Sequence, residues 1–304
     1  MKSYASPAAF KVALNARLRD QARRGALPVD RVRTVAVMER FLARLLAVAP
    51  ATTMLKGGLA LELRLERARS TRDIDLRMLG EPSGAAALVE SAARILLDPH
   101  DFLDFRVAAD PHQSVIHGDG AVYDGFRFIV TPTLAGERYG DVFGVDISFG
   151  DVIVGEVVEL VGGQSFAFIG VQPFAVRAYP IGSHIAEKLH AYTLPRQPGV
   201  ENSRLKDLPD LALLAANTVF DGAALRAALD ATFDFRGTHP LPSSLPAPPA
   251  SWADRYLRMA AEEALPWQDL ATLFSSVQRF LDPVLAGRGG TWDLTRWRWV
   301  EPPT

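Results

Sequence analysis

The sequence predicts an α+β protein, in which a strand-rich middle lies between helical segments at both ends. Apolar residues recur at helical spacing before residue 50 and again after residue 180. Between residues 102 and 179, five short segments of strand-like composition are separated by glycine, aspartate and proline. The 304 residues, 48% of them hydrophobic, provide enough core for one large domain or two of moderate size.

The individual elements follow from local periodicity and from helix-start signals. Leu14 and Leu18 share one helix face, Pro28 suits a first helical turn, and Ser83 suits an N-cap. Helices are predicted over 7–25, 28–49, 59–66, 84–97, 182–194, 208–217, 221–231, 251–264 and 267–286. Strands are predicted over 52–56, 72–78, 102–107, 123–131, 142–149, 157–161 and 175–179.

These elements suggest an organisation into successive segments without internal repeats. Residues 235–250 hold five prolines and little periodicity, which predicts a linker or a loop that follows the protein surface. The predicted segments are basic helices at 1–50, an α/β core at 51–180, a helical segment completing the active site at 181–234, the proline-rich linker at 235–250 and C-terminal helices at 251–304.

Composition excludes several classes of site. The chain has no cysteine, so disulfides and thiolate metal sites are excluded, and a reducing cytoplasm fits this composition. The N-terminus lacks the apolar region of a secretory signal, and no apolar run reaches the roughly 18 residues that span a bilayer. We therefore expect a soluble, cytoplasmic protein with no membrane partner.

Charge is distributed unevenly along the chain. Residues 1–50 hold ten Lys or Arg against three Asp or Glu, whereas the remaining 254 residues hold 23 against 32. This asymmetry is compatible with an anionic partner on the N-terminal helices. Solvated faces of two amphipathic helices explain it equally simply and are slightly favoured.

Two aspartates in the 72–78 strand form the first candidate site. Alternate side chains of a strand share a face, so Asp73 and Asp75 point the same way while Ile74 and Leu76 point to the core. Two carboxylates this close repel each other unless a cation lies between them, and oxygen ligands suit Mg²⁺ or Mn²⁺. Phosphoryl and nucleotidyl transfer use such ions on a triphosphate. By itself, however, D-x-D is also common on solvent-facing strands.

Gly57 and Gly58 strengthen that interpretation. A glycine pair between a strand and a helix lets backbone N–H groups approach phosphate oxygens, and the helix N-terminus adds a partial positive charge. A tight turn explains the glycines alone, but not the aspartates that follow. Asp146, in the segment GVDISF, is a third candidate ligand, because Val145 and Ile147 would face the core. The spacing permits, but does not require, that its strand lies beside the first.

The motifs resemble those of one known family. KGGLALELR at 56–64 and STRDIDL at 70–76 are similar to motifs of the AbiEii/AbiGii toxins, which belong to the DNA polymerase β-like nucleotidyltransferase superfamily. EKLHA at 187–191 and RLKDLPDL at 204–211 are similar to the family's downstream motifs. The resemblance spans about residues 30–217. It implies a polymerase β-like mixed sheet with flanking helices and a helical C-terminal part.

The resemblance also implies roles for individual residues. The implied catalytic residues are Asp73, Asp75, Lys188 and Asp207. The implied nucleotide-binding residues are Lys56, Gly57, Gly58, Thr71, Arg72, Lys188 and Arg204. The implied metal ligands are Asp73, Asp75 and Asp146, with Mg²⁺ or Mn²⁺ bound and a nucleoside triphosphate as substrate.

Local patterns leave alternatives open for the downstream motif. Asp207 also suits a helix N-cap, with Pro209 in the first turn. Asp210 suits either the cap or a structural ion pair. Arg204 could bind phosphate or pair with a neighbouring acid, and Lys188 could be an ordinary solvated lysine.

The implied activity is that of a toxin in a type IV toxin–antitoxin or abortive-infection system. Characterised relatives add nucleotides to the tRNA 3′ end and block aminoacylation, and some are silenced by an antitoxin kinase that phosphorylates the position of Thr71. A nucleotidyltransferase acting on a protein or small molecule remains open. So does an inactive nucleotide-binding interaction protein, although the intact motifs count against it.

Two other kinds of catalytic site find little support in the sequence. His184, His190 and the HGD at 117–119 lack zinc-ligand spacing, because histidines six apart do not share a helix face. The chain also lacks the G-x-S-x-G turn of serine hydrolases.

Overall fold

A computed structural model describes residues 4–49, 51–65, 68–80, 82–97, 101–110 and 125–301. The HGD at 117–119, the first two residues of the predicted 123–131 strand and the end of the predicted 59–66 helix lie outside these ranges. No described helix is both long enough and apolar enough to cross a membrane.

Helices flank a strand-rich middle, as the sequence predicts. The helices are α1 Pro7–Gly25, α2 Val29–Val48, α3 Gly57–Arg64, α4 Ala85–Arg94, α5 Ile181–Thr193, α6 Asp207–Asn217, α7 Gly222–Arg236, α8 Ala253–Glu262 and α9 Leu270–Leu285. The strands are β1 Thr53–Lys56, β2 Asp73–Met78, β3 Leu103–Ala109, β4 Gly125–Leu134, β5 Glu137–Arg138, β6 Phe143–Phe149, β7 Val158–Gly162, β8 Phe174–Ala178, β9 Thr291–Asp293 and β10 Arg298–Val300. The predicted α+β class is confirmed.

The main sheet is mixed, as predicted. Its strand order is β3-β4-β6-β2-β1-β8-β7, with β5 added to β4. The β2–β6 and β1–β8 pairs are parallel, and the other pairs are antiparallel. The parallel pairing of β2 with β6 places the two candidate carboxylate strands side by side.

One face of the sheet packs on the N-terminal helices. Ile74 and Leu76 of β2 are fully buried there, together with side chains of α1, α2 and α4. A second hydrophobic cluster joins the C-terminal helices around Trp252 and Trp292. The site lies on the sheet face turned away from α2, where residues of α5, α6 and α8 also reach the same cavity.

Several local predictions need correction. The glycine pair is not a turn before a helix, because α3 begins at Gly57 itself. The predicted C-terminal helices do not extend through 251–304, because β9 and β10 form a hairpin after α9. Residues 235–250 lie along the helices, which agrees with the surface-following loop rather than the linker: Leu245 is buried, and its N–H donates to Asp282.

The predicted basic N-terminal surface is partly internal. Arg40 and Arg44 of α2 are buried and paired with Asp101, and Arg31 pairs with Glu62 and Glu263. These three arginines neutralise carboxylates inside the protein, so they form neither a docking face nor a solvated one.

Candidate active site

Four charged residues lie in one row across four adjacent strands. Strand register sets Lys56 opposite Asp75, Asp75 opposite Asp146, and Asp146 opposite Arg127. Directly opposed residues on neighbouring strands have their Cβ atoms close together, on one face of the sheet. Two carboxylates therefore stand side by side between two cations on the floor of a cavity of about 1010 Å³.

Asp73 and Asp75 of β2 share the face turned toward the cavity, while Ile74 and Leu76 are buried on the other. Burial, followed by the charge of Asp73, raises the pKa of Asp75. Burial and the charge of Asp75 raise the pKa of Asp146 to about 7. Burial and the neighbouring negative charges therefore disfavour the ionised forms of Asp75 and Asp146, and a bound cation would relieve this repulsion.

The glycine pair packs against this carboxylate group. Gly57 has φ +64°, and a Cβ there would lie 1.7 Å from Oδ2 of Asp75. A Cβ on Gly58 would lie 2.5 Å from the Thr71 hydroxyl oxygen. The backbone N–H of Gly58 also favours the ionised form of Asp75. Both glycines are thus required for the close approach of α3 to the carboxylate strand.

Arg127 was not predicted from the sequence, yet it lies at the centre of the site. One guanidinium nitrogen donates to Oδ1 of Asp73 at 2.7 Å and another to Oδ2 of Asp146 at 2.9 Å. Burial lowers the pKa of Arg127, but Asp146 and Asp73 outweigh burial and raise it.

The donor set fits a hard divalent cation. Oδ1 of Asp146 is buried without a hydrogen-bond partner, although a buried carboxylate oxygen normally has one. A bound cation would satisfy this oxygen together with Asp73 and Asp75. In the part of the chain that the structure describes, no three acidic or histidine side chains are already gathered around one point. Arg127 instead lies between two of the three carboxylates.

Lys56 belongs to a buried ion-pair network beside the carboxylates. Its Nζ donates to Asp151 at 2.6 Å and to Glu187 at 3.4 Å. Burial lowers the pKa of Lys56, but the charges of Glu187 and Asp151 outweigh burial and raise it. Arg236 of α7 pairs with the same two carboxylates. The network therefore fixes a charged Lys56 beside Asp75.

The downstream motif forms a second ion-pair network at the cavity wall. Lys188 Nζ donates to Asp210 at 2.6 Å and to Asp207 at 3.3 Å. Arg204 donates to Asp207 at 2.6 Å, and Arg69 pairs with Asp210. Lys188 is therefore buried and paired, so the solvated-lysine alternative is wrong.

The N-cap interpretation of Asp207 is wrong as well. The N-cap position of α6 is Lys206, which makes no side-chain cap bond, and Asp207 is the first helical residue. Its carboxylate accepts from Lys188 and Arg204 instead. Of the alternatives for Asp210, the structure shows the ion pair.

The loop before β2 is held by the C-terminal helical part. Glu263, just after α8, accepts the backbone N–H of Ser70 at 2.9 Å and also the Ser70 hydroxyl. Thr71 precedes β2, because the strand begins at Asp73 and not at 72. Its hydroxyl lies in the cavity wall, 3.4 Å from the Asp73 backbone nitrogen.

Two histidines line the cavity without forming a shared site. His184 is buried, and burial together with Lys188 lowers its pKa well below the usual value. A hydrogen bond of 2.7 Å joins Nε2 of His190 and the hydroxyl of Thr238. Burial, followed by the charge of His239, lowers the pKa of His190 to about 4. Both imidazoles are therefore neutral at pH 7.

Four basic side chains with solvent-accessible surface line the cavity, and we call them its basic rim. Arg72 has a side chain 75% exposed and pairs with Asp141, Arg204 is 42% exposed, and Lys206 is exposed. Arg196 also lines the cavity. Among the described lining residues, none comes from α1 or α2.

The structure brings every residue of the predicted site to this one cavity. Sequence reasoning missed Arg127, Arg69, Asp151, Glu187 and Glu263. Glu187 adjoins Lys188 within a motif and could have been noticed. The other four act through strand pairing or long-range contacts for which the sequence gives no local signal.

Comparison with known proteins identifies a matching family for most of this chain. Residues 40–283 match the model of a family described as the nucleotidyl transferase AbiEii toxin of type IV toxin–antitoxin systems. A search among proteins of curated function found no match.

Among solved structures, two matches differ in their degree of similarity to this chain. MenT4, a nucleotidyltransferase toxin from Mycobacterium tuberculosis H37Rv, matches with a TM-score of 0.57 at 17% identity, over 93% of this chain and 92% of MenT4. JHP933 from Helicobacter pylori matches with a TM-score of 0.42 at 17% identity, over 81% of this chain and 93% of JHP933. The MenT4 match shows a shared fold.

Proposed function

The chain belongs to the AbiEii family of nucleotidyltransferase toxins, and we propose that it transfers a nucleoside monophosphate from an NTP to the 3′ end of an RNA, specifically tRNA. In this reaction the acceptor 3′ oxygen bonds to the α-phosphorus, the bond to the β-phosphate breaks, and pyrophosphate leaves. The observation that carries the proposal is the row of two carboxylates between two cations on the cavity floor.

The carboxylates Asp73, Asp75 and Asp146 would hold Mg²⁺ or Mn²⁺. When bound, such an ion neutralises charge on the triphosphate and helps to align the attacking oxygen. The unsatisfied Oδ1 of Asp146 and the raised pKa values of Asp75 and Asp146, which burial and neighbouring carboxylates cause, support this assignment.

Two elements are assigned to the triphosphate. The N-terminus of α3, which begins at Gly57 and Gly58, provides a partial positive charge beside the carboxylates. Lys188 provides a full charge, and Asp207 and Asp210 orient its ammonium group. Lys56 is assigned to the support of Asp75, because strand register sets it directly opposite that carboxylate and Asp151 and Glu187 fix its Nζ there.

The rim is assigned to the RNA acceptor. The cavity that a 3′ end would enter to reach the carboxylates is lined by Arg72, Arg196, Arg204 and Lys206. Basic side chains in such a position can bind backbone phosphates without reading sequence. This assignment places the RNA at the cavity rather than on α1 and α2.

The experiment supplies total RNA, Mg²⁺ and each α-labelled NTP in turn. We expect label in tRNA, and none when the RNA has first been oxidised with periodate, because oxidation destroys the 3′-terminal diol. Label that persists in oxidised RNA would contradict transfer to the 3′ end. Label in protein or in a small molecule would favour the same chemistry with another acceptor.

A type IV toxin–antitoxin system implies a cognate antitoxin. We assign Thr71 as the position at which an antitoxin kinase would act. A phosphate there would add about −1.5 to −2 charge beside Asp73 and compete with the NTP for the metal and for Lys188.

A further inference from the structure

Arg127 occupies the space between two of the proposed metal ligands. It extends from β4, passes over β6 and reaches Asp73 on β2, so its guanidinium contacts carboxylates of two different strands. A planar guanidinium can donate to two carboxylates at once, which a lysine ammonium does less well. The bridging guanidinium neutralises part of the negative charge, so the two carboxylates repel each other less.

The sheet leaves room for this bridge at one residue. Gly144 of β6 lies opposite Asp73, and a Cβ there would lie 2.4 Å from Oδ1 of Asp73 and 3.0 Å from the Arg127 guanidinium. The backbone of Gly144 does not adopt a positive φ, so its conformation does not demand glycine. The space above Gly144 is instead filled by the ion pair between Arg127 and Asp73.

Arg127 also pairs with a carboxylate that is not a proposed metal ligand. Its Nε lies 3.6 Å from a carboxylate oxygen of Asp110, beyond the end of β3. Meanwhile Oδ1 of Asp146 remains buried without a partner, so the guanidinium satisfies only part of the carboxylate cluster. An ion with several ligand positions would satisfy this oxygen, and Arg127 could then pair with Asp110 alone.

We propose that Arg127 is the resident counterion of the carboxylate cluster and competes with the divalent cation for Asp73 and Asp146. This inference rests on the proposed function, because it requires that Asp73, Asp75 and Asp146 bind the metal. In the ion-free enzyme Arg127 keeps the carboxylates together. When the cation binds, the guanidinium must leave Asp73 and Asp146, so Arg127 weakens metal binding while it stabilises the ion-free fold.

The test compares the wild type with Arg127→Gln in the absence of NTP and RNA. Titration with Mn²⁺, followed by electron paramagnetic resonance of the free ion, gives the affinity. Melting temperatures in EDTA and in saturating Mg²⁺ give the stability of the two states. Arg106→Gln is the matched control, since Arg106 is an exposed arginine on the adjacent strand β3, outside the cavity.

We expect Arg127→Gln to bind Mn²⁺ roughly tenfold more tightly, as for the loss of one competing charge-assisted hydrogen bond. Its melting temperature in EDTA should fall by about 2–4 °C, and Mg²⁺ should restore most of that loss. Arg127→Lys keeps the positive charge but cannot donate to two carboxylates in the same way, so its Mn²⁺ affinity and melting temperature should lie between those of the wild type and Arg127→Gln. It replaces Arg127→Gln in the test if that variant does not fold. Arg106→Gln should resemble the wild type.

Unchanged or weaker Mn²⁺ binding by Arg127→Gln would overturn the inference, as would an equal loss of melting temperature with and without Mg²⁺. Asp75→Asn separates this failure from failure of the proposed function. If the wild type binds Mn²⁺ and Asp75→Asn does not, the metal site stands whatever Arg127 does. If the wild type itself binds none, the metal site and the inference fall together.

Discussion

Among the glycines of the site, Gly57 is the one where a side chain would be tolerated least. Its positive φ is a conformation that side chains rarely adopt, and its missing Cβ is where Asp75 Oδ2 approaches. The left-handed conformation costs a non-glycine residue about 1–2 kcal/mol. The clash adds a displacement of Asp75, and Asp75 lies opposite both Lys56 and Asp146.

Gly57→Ala is therefore expected to lower nucleotide transfer by roughly 100-fold, the scale of loss for a displaced reactive group. Gly80→Ala is the matched control, because Gly80 also has a positive φ but would meet nothing within 4 Å. The control should lose stability alone. Transfer rates measured at equal folded fraction make the comparison, and equal activity in the two variants would contradict the role assigned to the glycine.

Thr71 provides a test of the regulatory assignment. Thr71→Glu should be inactive and bind NTP weakly, because a carboxylate would stand beside Asp73 in the cavity wall. Thr71→Val, which keeps the shape without the hydroxyl, should retain substantial activity. Transfer rate and NTP affinity measured for both variants decide the matter. Comparable activity of the two would show that added charge at this position does not control the enzyme.

Helix α2 carries an ionisable group into the interior. Glu39 of α2 is buried, and burial, opposed by the Gly163 backbone N–H and assisted by Glu62, raises its pKa from 4.5 to about 7. Between pH 4.5 and about pH 7, the folded protein therefore keeps a proton on Glu39 that the unfolded chain has already released. Stability from this group is complete below pH 4.5 and is lost as pH rises toward 7.

Glu39→Gln should remove that loss. Between pH 4.5 and 7 the wild type loses about 3 kcal/mol of unfolding free energy through this group. The variant should therefore be more stable than the wild type at pH 8 and similar to it at pH 4.5. Urea unfolding at a series of pH values measures the difference. Glu90→Gln on α4, where the glutamate is exposed and paired only locally with Arg94, is the control and should leave the slope unchanged. A wild-type slope in Glu39→Gln would show that Glu39 is not the group responsible.

Helices and strands were largely predictable because their signals are local. Alternation along β2 correctly separates Asp73 and Asp75 from Ile74 and Leu76. The position of Asp146 beside Asp75 could not be predicted from the spacing of residues along the chain, which only allows it. It depends on the parallel pairing of β2 with β6. Arg127 depends on a further pairing, that of β4 with β6, and no local pattern distinguishes it from other strand arginines.

The charge of the N-terminal segment was misleading for a related reason. Arg31, Arg40 and Arg44 have the same sequence appearance as surface arginines, yet they pair with acids that lie 31 to 232 residues away. Regional charge counts cannot tell an internal ion pair from a docking face, because the partners are brought together only by the fold.

The cavity lies where the sheet and the C-terminal helical part meet. Sheet residues provide its carboxylates, whereas α5, α6 and the end of α8 provide Lys188, Asp207 and Glu263. The C-terminal third, which carries no motif recognisable from sequence, thus contributes directly to the wall. Its contact with Ser70 holds the loop that leads into the carboxylate strand.

Charge reversal at two surfaces tests where the RNA binds. Arg196→Glu with Lys206→Glu alters the rim, and we expect RNA affinity to fall roughly tenfold. The slope of the logarithm of the binding constant against the logarithm of the salt concentration should fall in magnitude by about 1.5. Arg23→Glu with Arg24→Glu makes the same change on α1, outside the cavity, and should have the smaller effect. Filter binding across a salt series provides both quantities. A larger effect from α1 would place the RNA on the N-terminal helices.

The central claim is that the carboxylates on the cavity floor carry nucleotidyl transfer. The most direct measurement compares the initial rate of labelled-nucleotide transfer to RNA by the wild type with that of Asp75→Asn, each at a verified folded fraction. The substitution keeps the shape and removes a charge that burial and the charge of Asp73 disfavour. We expect the rate to fall at least roughly 1000-fold while the melting temperature in EDTA stays equal or rises. A variant that melts like the wild type and transfers nucleotide at a near-normal rate would contradict the account.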